Sequence, residues 1–331
     1  MFWYKILKAE KLSEGDSIFI NSKKYILLND ILRQVKVYSY PQRKTNSTFR
    51  FKWSKRETYE SDNMKENSYK WLLDRYLGRN KNLLNVWLKP GSKFLDAGCG
   101  AGYSTLLLFQ KRLNRINYLG VDSSEAIDIA SKRFKENNIK GEFIQADITD
   151  LPFNAPIFDV IFSEGVLHHT NSVKDSIKYL SRLLLQGGRF LFYVYKKKAV
   201  IREFVDDYVR KYLEKLNDEQ AWKALIPLTR IGKVIGDLNI KINVPEEIPF
   251  LEIPAGEIEL QRFFYWYIFK IYYKSNWSIE ELNHINFDWY RPTNCHRHTP
   301  QQIIKWCTDS NLSIENIKVE EAGINVVAMK L

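Results

Sequence analysis

Two carboxylates and a run of glycines mark the part of this chain equipped for chemistry. Asp96 follows the short apolar run Phe94-Leu95 and precedes Gly98, Gly100 and Gly102, which stand at every second position. A strand that ends on a carboxylate leaves that group free to meet a polar ligand. Glycines let the backbone turn tightly and lie against the ligand. The apolar run Leu106–Phe109 belongs to a segment of helical character, whose first N–H groups and positive dipole end point at the same spot. Such a turn, at the carboxyl end of the first strand of an open α/β sheet, makes a nucleotide-type crevice. The dinucleotide fingerprint Gly-x-Gly-x-x-Gly is excluded, because position 103 is Tyr103. A second strand, Tyr118–Val121, ends on Asp122, 24 residues beyond Gly98. That is near the spacing of about 20 residues at which an acid accepts hydrogen bonds from ribose hydroxyls. Asp122 is also placed to cap the helix opened by Ser123-Ser124-Glu125.

These groups need a scaffold, and the flanking pattern supplies one. From Phe94 to Tyr195 strand and helix alternate, which predicts a parallel sheet with helices on both faces. Gly141–Ala146 is the third strand and ends on Asp147-Ile148, where Asp147 also suits a turn that closes the strand. Phe158–Phe162 is the fourth and runs into Ser163-Glu164-Gly165-Val166-Leu167-His168-His169-Thr170. A turn at Gln186–Arg189 leads into the fifth, Phe190–Tyr195. Two alternating runs, Ser313–Glu321 and Ile324–Leu331, close the chain as an antiparallel hairpin.

The string Leu95–Gly102 resembles the first motif of the class I S-adenosylmethionine-dependent methyltransferases, and Ser163–Thr170, with its Leu-His-His ending, resembles their fourth. The resemblance implies a doubly wound α/β fold: a mostly parallel seven-stranded sheet with an antiparallel C-terminal hairpin. It implies S-adenosylmethionine as methyl donor, S-adenosylhomocysteine as product, and no metal. Donor contacts are implied at Asp96, Gly98, Cys99, Gly100, Asp122, Ser123, Asp147, Ile148, Ser163 and Glu164. In the family an acid at the position of Asp147 accepts a hydrogen bond from the adenine amino group while its neighbour packs on the ring. His169 matches the histidine the family places beside the methyl donor. It is the first candidate for base or substrate hydrogen bond, with His168 next to it; a histidine that only packs at the start of the next helix is the alternative.

The core has additions on both sides. Residues 1–62 read as a β hairpin (Ser17–Ile20 and Tyr25–Leu28) followed by a basic and aromatic strap, Thr48–Trp53, laid over the cofactor site. The hairpin resembles the second half of the zinc-ribbon modules that precede some methyltransferase domains. Those use paired cysteines, and none precedes Cys99, so the resemblance implies a hairpin without its metal. Residues 63–195 form the donor-binding core, with a helix expected over 66–88. Residues 196–290 are a helical lid or substrate-binding insertion. Its aromatic run Phe263–Tyr273 suits either an aromatic substrate or a core. Residues 291–331 complete the core; there Thr299 and Pro300 open a helix. Asp288-Trp289-Tyr290 followed by a His-Thr helix start resembles the pocket-lining segment of small-molecule methyltransferases. Tyr290, His296 and His298 in this segment, with Tyr195 at the end of the fifth strand, are the candidates for substrate contacts. Cys295 and the two histidines lack the spacing of a metal site.

The chain carries a net charge of +11, and its distribution decides what that means. Residues 1–84 hold 18 Lys and Arg against 9 Asp and Glu, whereas residues 196–331 hold 19 of each. A basic N-terminus can face RNA, an anionic surface or an acidic substrate; a solvated lysine-rich surface with no such partner is the preferred reading. The longest unbroken apolar run, Phe263–Phe269, is seven residues, too short to span a bilayer. With three scattered cysteines, a reducing cytoplasm is expected. The expected activity is methyl transfer to a small-molecule or sugar-like acceptor, at oxygen. The alternatives are an RNA methyltransferase using the basic N-terminus and a non-catalytic cofactor-binding scaffold.

Overall fold

The computed structural model describes residues 2–78 and 80–331. Its strands are β1 (Ser17–Ile20), β2 (Lys23–Leu28), β3 (Ile31–Gln34), β4 (Lys93–Ala97), β5 (Asn117–Asp122), β6 (Glu142–Gln145), β7 (Phe158–Ser163), β8 (Leu184–Tyr195), β9 (Lys241–Val244), β10 (Gly256–Glu259), β11 (Leu312–Val319) and β12 (Gly323–Lys330). Ten of them form one sheet in the order β1-β2-β3-β6-β5-β4-β7-β8-β12-β11. β6, β5, β4, β7 and β8 are parallel, and β12 returns antiparallel between β8 and β11. Helices cover both faces, so the central strands read as near-continuous apolar runs, with Phe94, Leu95, Leu119, Val121 and Ile161 fully buried. The strand order reverses at β4, which opens the crevice between the carboxyl ends of β4, β5 and β7.

The helices are α1 (Phe2–Ile6), α2 (Tyr40–Ser54), α3 (Asp62–Leu77), α4 (Leu83–Trp87), α5 (Tyr103–Phe109), α6 (Ala126–Glu136), α7 (Val173–Ser181), α8 (Val200–Leu213), α9 (Asp218–Asp237), α10 (Leu260–Phe263), α11 (Ile279–Tyr290) and α12 (Pro300–Asp309). α12 starts as its sequence demands. The Thr299 hydroxyl accepts the Gln302 N–H at 3.3 Å, and Gln302 returns a bond to the Thr299 N–H.

Four details differ from the sequence pattern. The N-terminal hairpin gains a third strand, β3, which pairs in parallel with β6 (Leu32 beside Ile144) and continues the central sheet. Residues 40–54, expected as a strap, are helical: Ser39 caps α2 through the Gln42 N–H, and Pro41 sits in its first turn. The expected helix over 66–88 is two, because Gly78 ends α3 in the left-handed region at φ 50°. β8 begins before its expected turn: Leu184 pairs with Phe158 and Arg189 with Val160, and the residues between bulge outward at Gly187 (φ 77°).

In the insertion, α8 and α9 are followed by the β9–β10 hairpin and then by the aromatic run, which splits into α10, one π-helical turn over 264–268, and extended chain from Phe269. That extended chain packs tightly on α9. A Cβ on Gly232 would lie 2.8 Å from Ile271 Cβ, and one on Gly236 2.4 Å from the Tyr273 ring. Among the described residues no helix is long and apolar enough to cross a membrane.

Candidate active site

At the carboxyl ends of β4, β5, β7 and β8 lies a cavity of about 540 Å³, roofed by α2, α11 and the chain around residues 262–274. Its floor is the glycine turn. Gly98 has φ 87°, and a Cβ there would fall 2.2 Å from Val166 Cγ1; Gly100 has φ 51°, and a Cβ there would fall 2.8 Å from Trp53 Nε1. Only a bare backbone fits at either place, so main-chain groups face the cavity.

Asp96, 2% exposed, accepts hydrogen bonds from the Thr105 hydroxyl at 2.5 Å and the Tyr118 hydroxyl at 2.9 Å. Burial pushes its carboxyl up to about 7 against the pull of those donors. Asp122 accepts the Gly100 N–H at 2.8 Å on one oxygen, and the Ser124 N–H (2.7 Å) and hydroxyl (2.6 Å) on the other. It therefore ties the glycine loop to the start of the next helix, and burial raises its carboxyl against those three donors. Asp147 closes its own turn through the Thr149 N–H at 2.9 Å, and its second oxygen accepts from Lys36 Nζ at 3.0 Å. Cys99, Ser123 and Ile148 line the same end of the cavity. Glu164 lines it too, held by Arg75 and the Tyr76 hydroxyl. Ser163 does not: its hydroxyl turns back to Ala97 O at 2.8 Å and braces β7 against β4.

The other half of the cavity is aromatic and charged. His169 is 4% exposed, and its Nδ1 lies 2.7 Å from Asn294 O. A carbonyl can only accept, so Nδ1 carries the proton and Nε2 keeps its lone pair; Nε2 has no protein partner. Burial holds the ring down to about 4, with the Asp288 charge pulling the other way. It is neutral at pH 7. Asp288 accepts from Lys52 and from the Tyr195 hydroxyl at 2.8 Å. Burial opposes its charge, but the Lys52 ammonium beside it holds the carboxyl well below its usual range. Phe49, Trp53, Tyr193, Tyr195, Tyr265, Trp266, Tyr272 and His284 complete the walls.

Four more expected residues lie elsewhere. His168 is fully buried behind the cavity, its ring 3.7 Å from that of Tyr195. Tyr290 points away, donating to Asp206 at 2.7 Å. His296 and His298 use their backbones to pin the segment, through His168 O (2.9 Å) and Tyr195 O (3.0 Å), while the His298 ring packs on Trp306. Lys52, Trp53, Lys270 and Asp288 lie in segments that the sequence marks out, but they were not singled out there as site residues. The first two were within reach: read as a helix, Gln42, Thr45, Asn46, Phe49, Lys52 and Trp53 share one face, and all six line the cavity. Among the described residues no group of three or more His, Cys, Asp or Glu is arranged to hold a metal ion.

The strand order β6-β5-β4-β7-β8-β12-β11, with its antiparallel end, and a glycine cradle flanked by strand-terminal acids are now both in place. Residues 95–192 match the family model described as "Methyltransferase domain". This segment is a class I S-adenosylmethionine-dependent methyltransferase domain. The chain is 32% identical over 130 residues to "Uncharacterized methyltransferase YcgJ" of Bacillus subtilis, covering 38% of this chain and 48% of that protein. It is 32% identical over 120 residues to "Probable tRNA methyltransferase 9B" of Bos taurus, covering 35% and 24%. It thus spans about half, or less, of the length of these curated relatives. Among solved structures it is similar to magnesium protoporphyrin IX methyltransferase from Synechocystis with bound S-adenosylmethionine, at 13% identity and a TM-score of 0.48 over 90% of this chain and all of that one. The residues outside the methyltransferase domain supply the roof and the aromatic wall.

Proposed function

We propose that this chain transfers a methyl group from S-adenosylmethionine to a hydroxyl of a small-molecule or sugar-like acceptor held in the cavity. The observation that carries the reading is the neutral ring of His169, its Nε2 without a protein partner, in the wall of an aromatic chamber that adjoins the glycine cradle. A cavity of about 540 Å³ falls within the size typical of small-molecule sites, about 300–1,000 Å³.

The residues fit the donor. The bare backbone of the Gly98–Gly102 turn, against which it can lie closely, the Asp122 carboxylate, Asp147 with Ile148, and Asp96 behind Thr105 would hold it. When bound, the sulfonium supplies an activated methyl group. The protein's own part is to position the acceptor and to remove its proton. His169 Nε2 takes the hydroxyl proton, Nδ1–H stays on Asn294 O, and the Asp288 carboxylate stabilises the imidazolium that results. Phe49, whose ring lies 4.9 Å from that of His169, and Tyr195 keep water from it.

RNA is the second reading, since several relatives are named for tRNA, as probable tRNA methyltransferase 9B or tRNA U34 carboxymethyltransferase. Much of the basic N-terminus is already spent inside the fold, however. Lys23 pairs with Asp150, Arg33 with Asp128, Lys36 with Asp147, Lys52 with Asp288 and Arg75 with Glu164. Calorimetry with S-adenosylhomocysteine separates these ideas. Micromolar binding lost in Asp122→Ala and kept in His169→Asn is expected, with turnover lost in both. Absence of binding sinks every enzymatic reading. Tight, salt-dependent RNA binding would overturn the small-molecule choice.

A further inference from the structure

The charges of the chamber do not balance. Apart from the strand-terminal acids Asp96, Asp122 and Asp147, the carboxylates that line it are each matched within the protein: Asp288 by Lys52, Glu164 by Arg75 and Glu320 by Lys318. Arg262, Lys270 and Lys274 also line the cavity, and among the described residues none of the three has an ion-pair partner. Lys270 is 6% exposed, and its ammonium lies 5.0 Å from the centre of the Trp289 ring. The Arg262 guanidinium lies over Tyr265 at 5.5 Å. A buried cation without a counter-ion is costly, and such a group in a binding cavity marks the place where a ligand supplies the opposite charge. Around these cations the wall is a set of flat faces, Tyr193, Tyr195, Tyr265, Trp266 and Tyr272, which suit another planar ring.

We infer that the acceptor is an aromatic hydroxy acid, whose ring fills the space among these faces and whose carboxylate supplies the charge that Lys270 and Arg262 lack. The inference rests on the methyl-transfer reading and adds the substrate class. A carboxylate is favoured over a phosphate monoester because only one of these cations, Lys270, is nearly inaccessible, which matches a single buried negative charge, while Arg262 is half-buried. Burial holds the Lys270 ammonium down to about 7, so at pH 8 most of it is neutral and a bound anion would draw a proton onto it. The charged and titratable groups facing it are Asp288 and Cys295, Asp206 and Arg202 on α8, and Lys198.

The test uses the full chain saturated with S-adenosylhomocysteine and a panel of hydroxybenzoates and hydroxycinnamates. Each acid is paired with its primary amide, and phenyl phosphate is included. Titration calorimetry at pH 8, in two buffers of different ionisation enthalpy, is expected to find an acid that binds at least tenfold tighter than its amide with net proton uptake. Lys270→Gln should abolish both the preference and the uptake. Arg262→Gln, on a half-buried side chain at the cavity rim, should reduce the preference several-fold. Both variants should keep S-adenosylhomocysteine affinity within about twofold, which shows that they fold. Equal binding of acids and amides, a preference for phenyl phosphate, or no acid binding to the loaded protein would each overturn the inference. Failure of S-adenosylhomocysteine itself to bind would instead sink the methyl-transfer reading and this inference with it.

Discussion

Acidification is the perturbation for which this fold makes the sharpest demand. All five histidines sit where burial lowers their pKa, and three of them, His168, His169 and His284, are nearly inaccessible. A histidine that stays neutral in the folded chain but charges in the unfolded one leaves the unfolded state binding more protons as pH falls. Stability is therefore present above the unfolded pKa of about 6.5 and is lost below it. Between pH 7 and pH 5 each fully buried ring removes about 2 kcal/mol, so the three together remove about 6. Asp96 acts in the opposite sense. Its folded carboxyl, raised to about 7, takes up a proton that the unfolded chain does not, and returns about 2 kcal/mol over the same interval. The partly exposed His296 and His298 add little after screening. The net loss is about 3–4 kcal/mol, a large fraction of the 5–15 kcal/mol that holds a typical domain together. Urea unfolding followed by tryptophan fluorescence at pH 7 and pH 5 measures it. Asp96→Asn removes the opposing contribution and should deepen the loss by about 2 kcal/mol. Equal stability at the two pH values, or a loss unchanged by Asp96→Asn, would refute the reasoning.

Three further outcomes follow from single contacts. Gly98→Ala places a Cβ 2.2 Å from Val166 in a left-handed conformation, so S-adenosylhomocysteine affinity should fall at least tenfold, read by calorimetry. Asp288→Asn leaves the Lys52 ammonium, 6% exposed, without its counter-ion and should cost about 2–4 kcal/mol in urea; adding Lys52→Met should recover most of that. Glu142→Ala removes the acceptor of the Phe2, Trp3 and Tyr4 N–H groups (2.5, 3.0 and 2.8 Å). It should cost about 1 kcal/mol, with faster hydrogen exchange confined to residues 2–7.

Elements whose residues answer to their own neighbours were legible in the sequence. The alternation from Phe94 to Tyr195, the glycine turn, the Thr299 cap and the final hairpin are all local signals, and they locate the crevice. Elements settled by distant partners were not. Ile31–Gln34 is only four residues, and its pairing with β6, more than a hundred positions away, leaves no mark in its composition. The basic and aromatic pattern of Thr48–Trp53 drew attention to chemistry and away from periodicity, so a helix with one cavity-facing side passed for a strap. Tyr290, His296 and His298 were chosen for residue type and proximity in sequence. Their directions depend on Asp206, Trp306 and backbone pairing, which come from elsewhere in the chain. Lys270 sits in an apolar run whose split into a π-helical turn and extended chain is forced by packing against Gly232 and Gly236.

Lys36 gives the three-strand edge of the sheet a role beyond covering β6. It stands just past β3 and bridges Asp147 and Asp150 at 3.0 Å each, so one ammonium belongs both to the N-terminal unit and to the rim of the crevice. Any ligand that competes for Asp147 changes the free energy with which residues 17–38 are moored, and by linkage a loosened mooring changes the ligand's affinity by the same factor. The edge of the sheet and the occupancy of the crevice are thereby two coordinates of one equilibrium, joined through a single side chain.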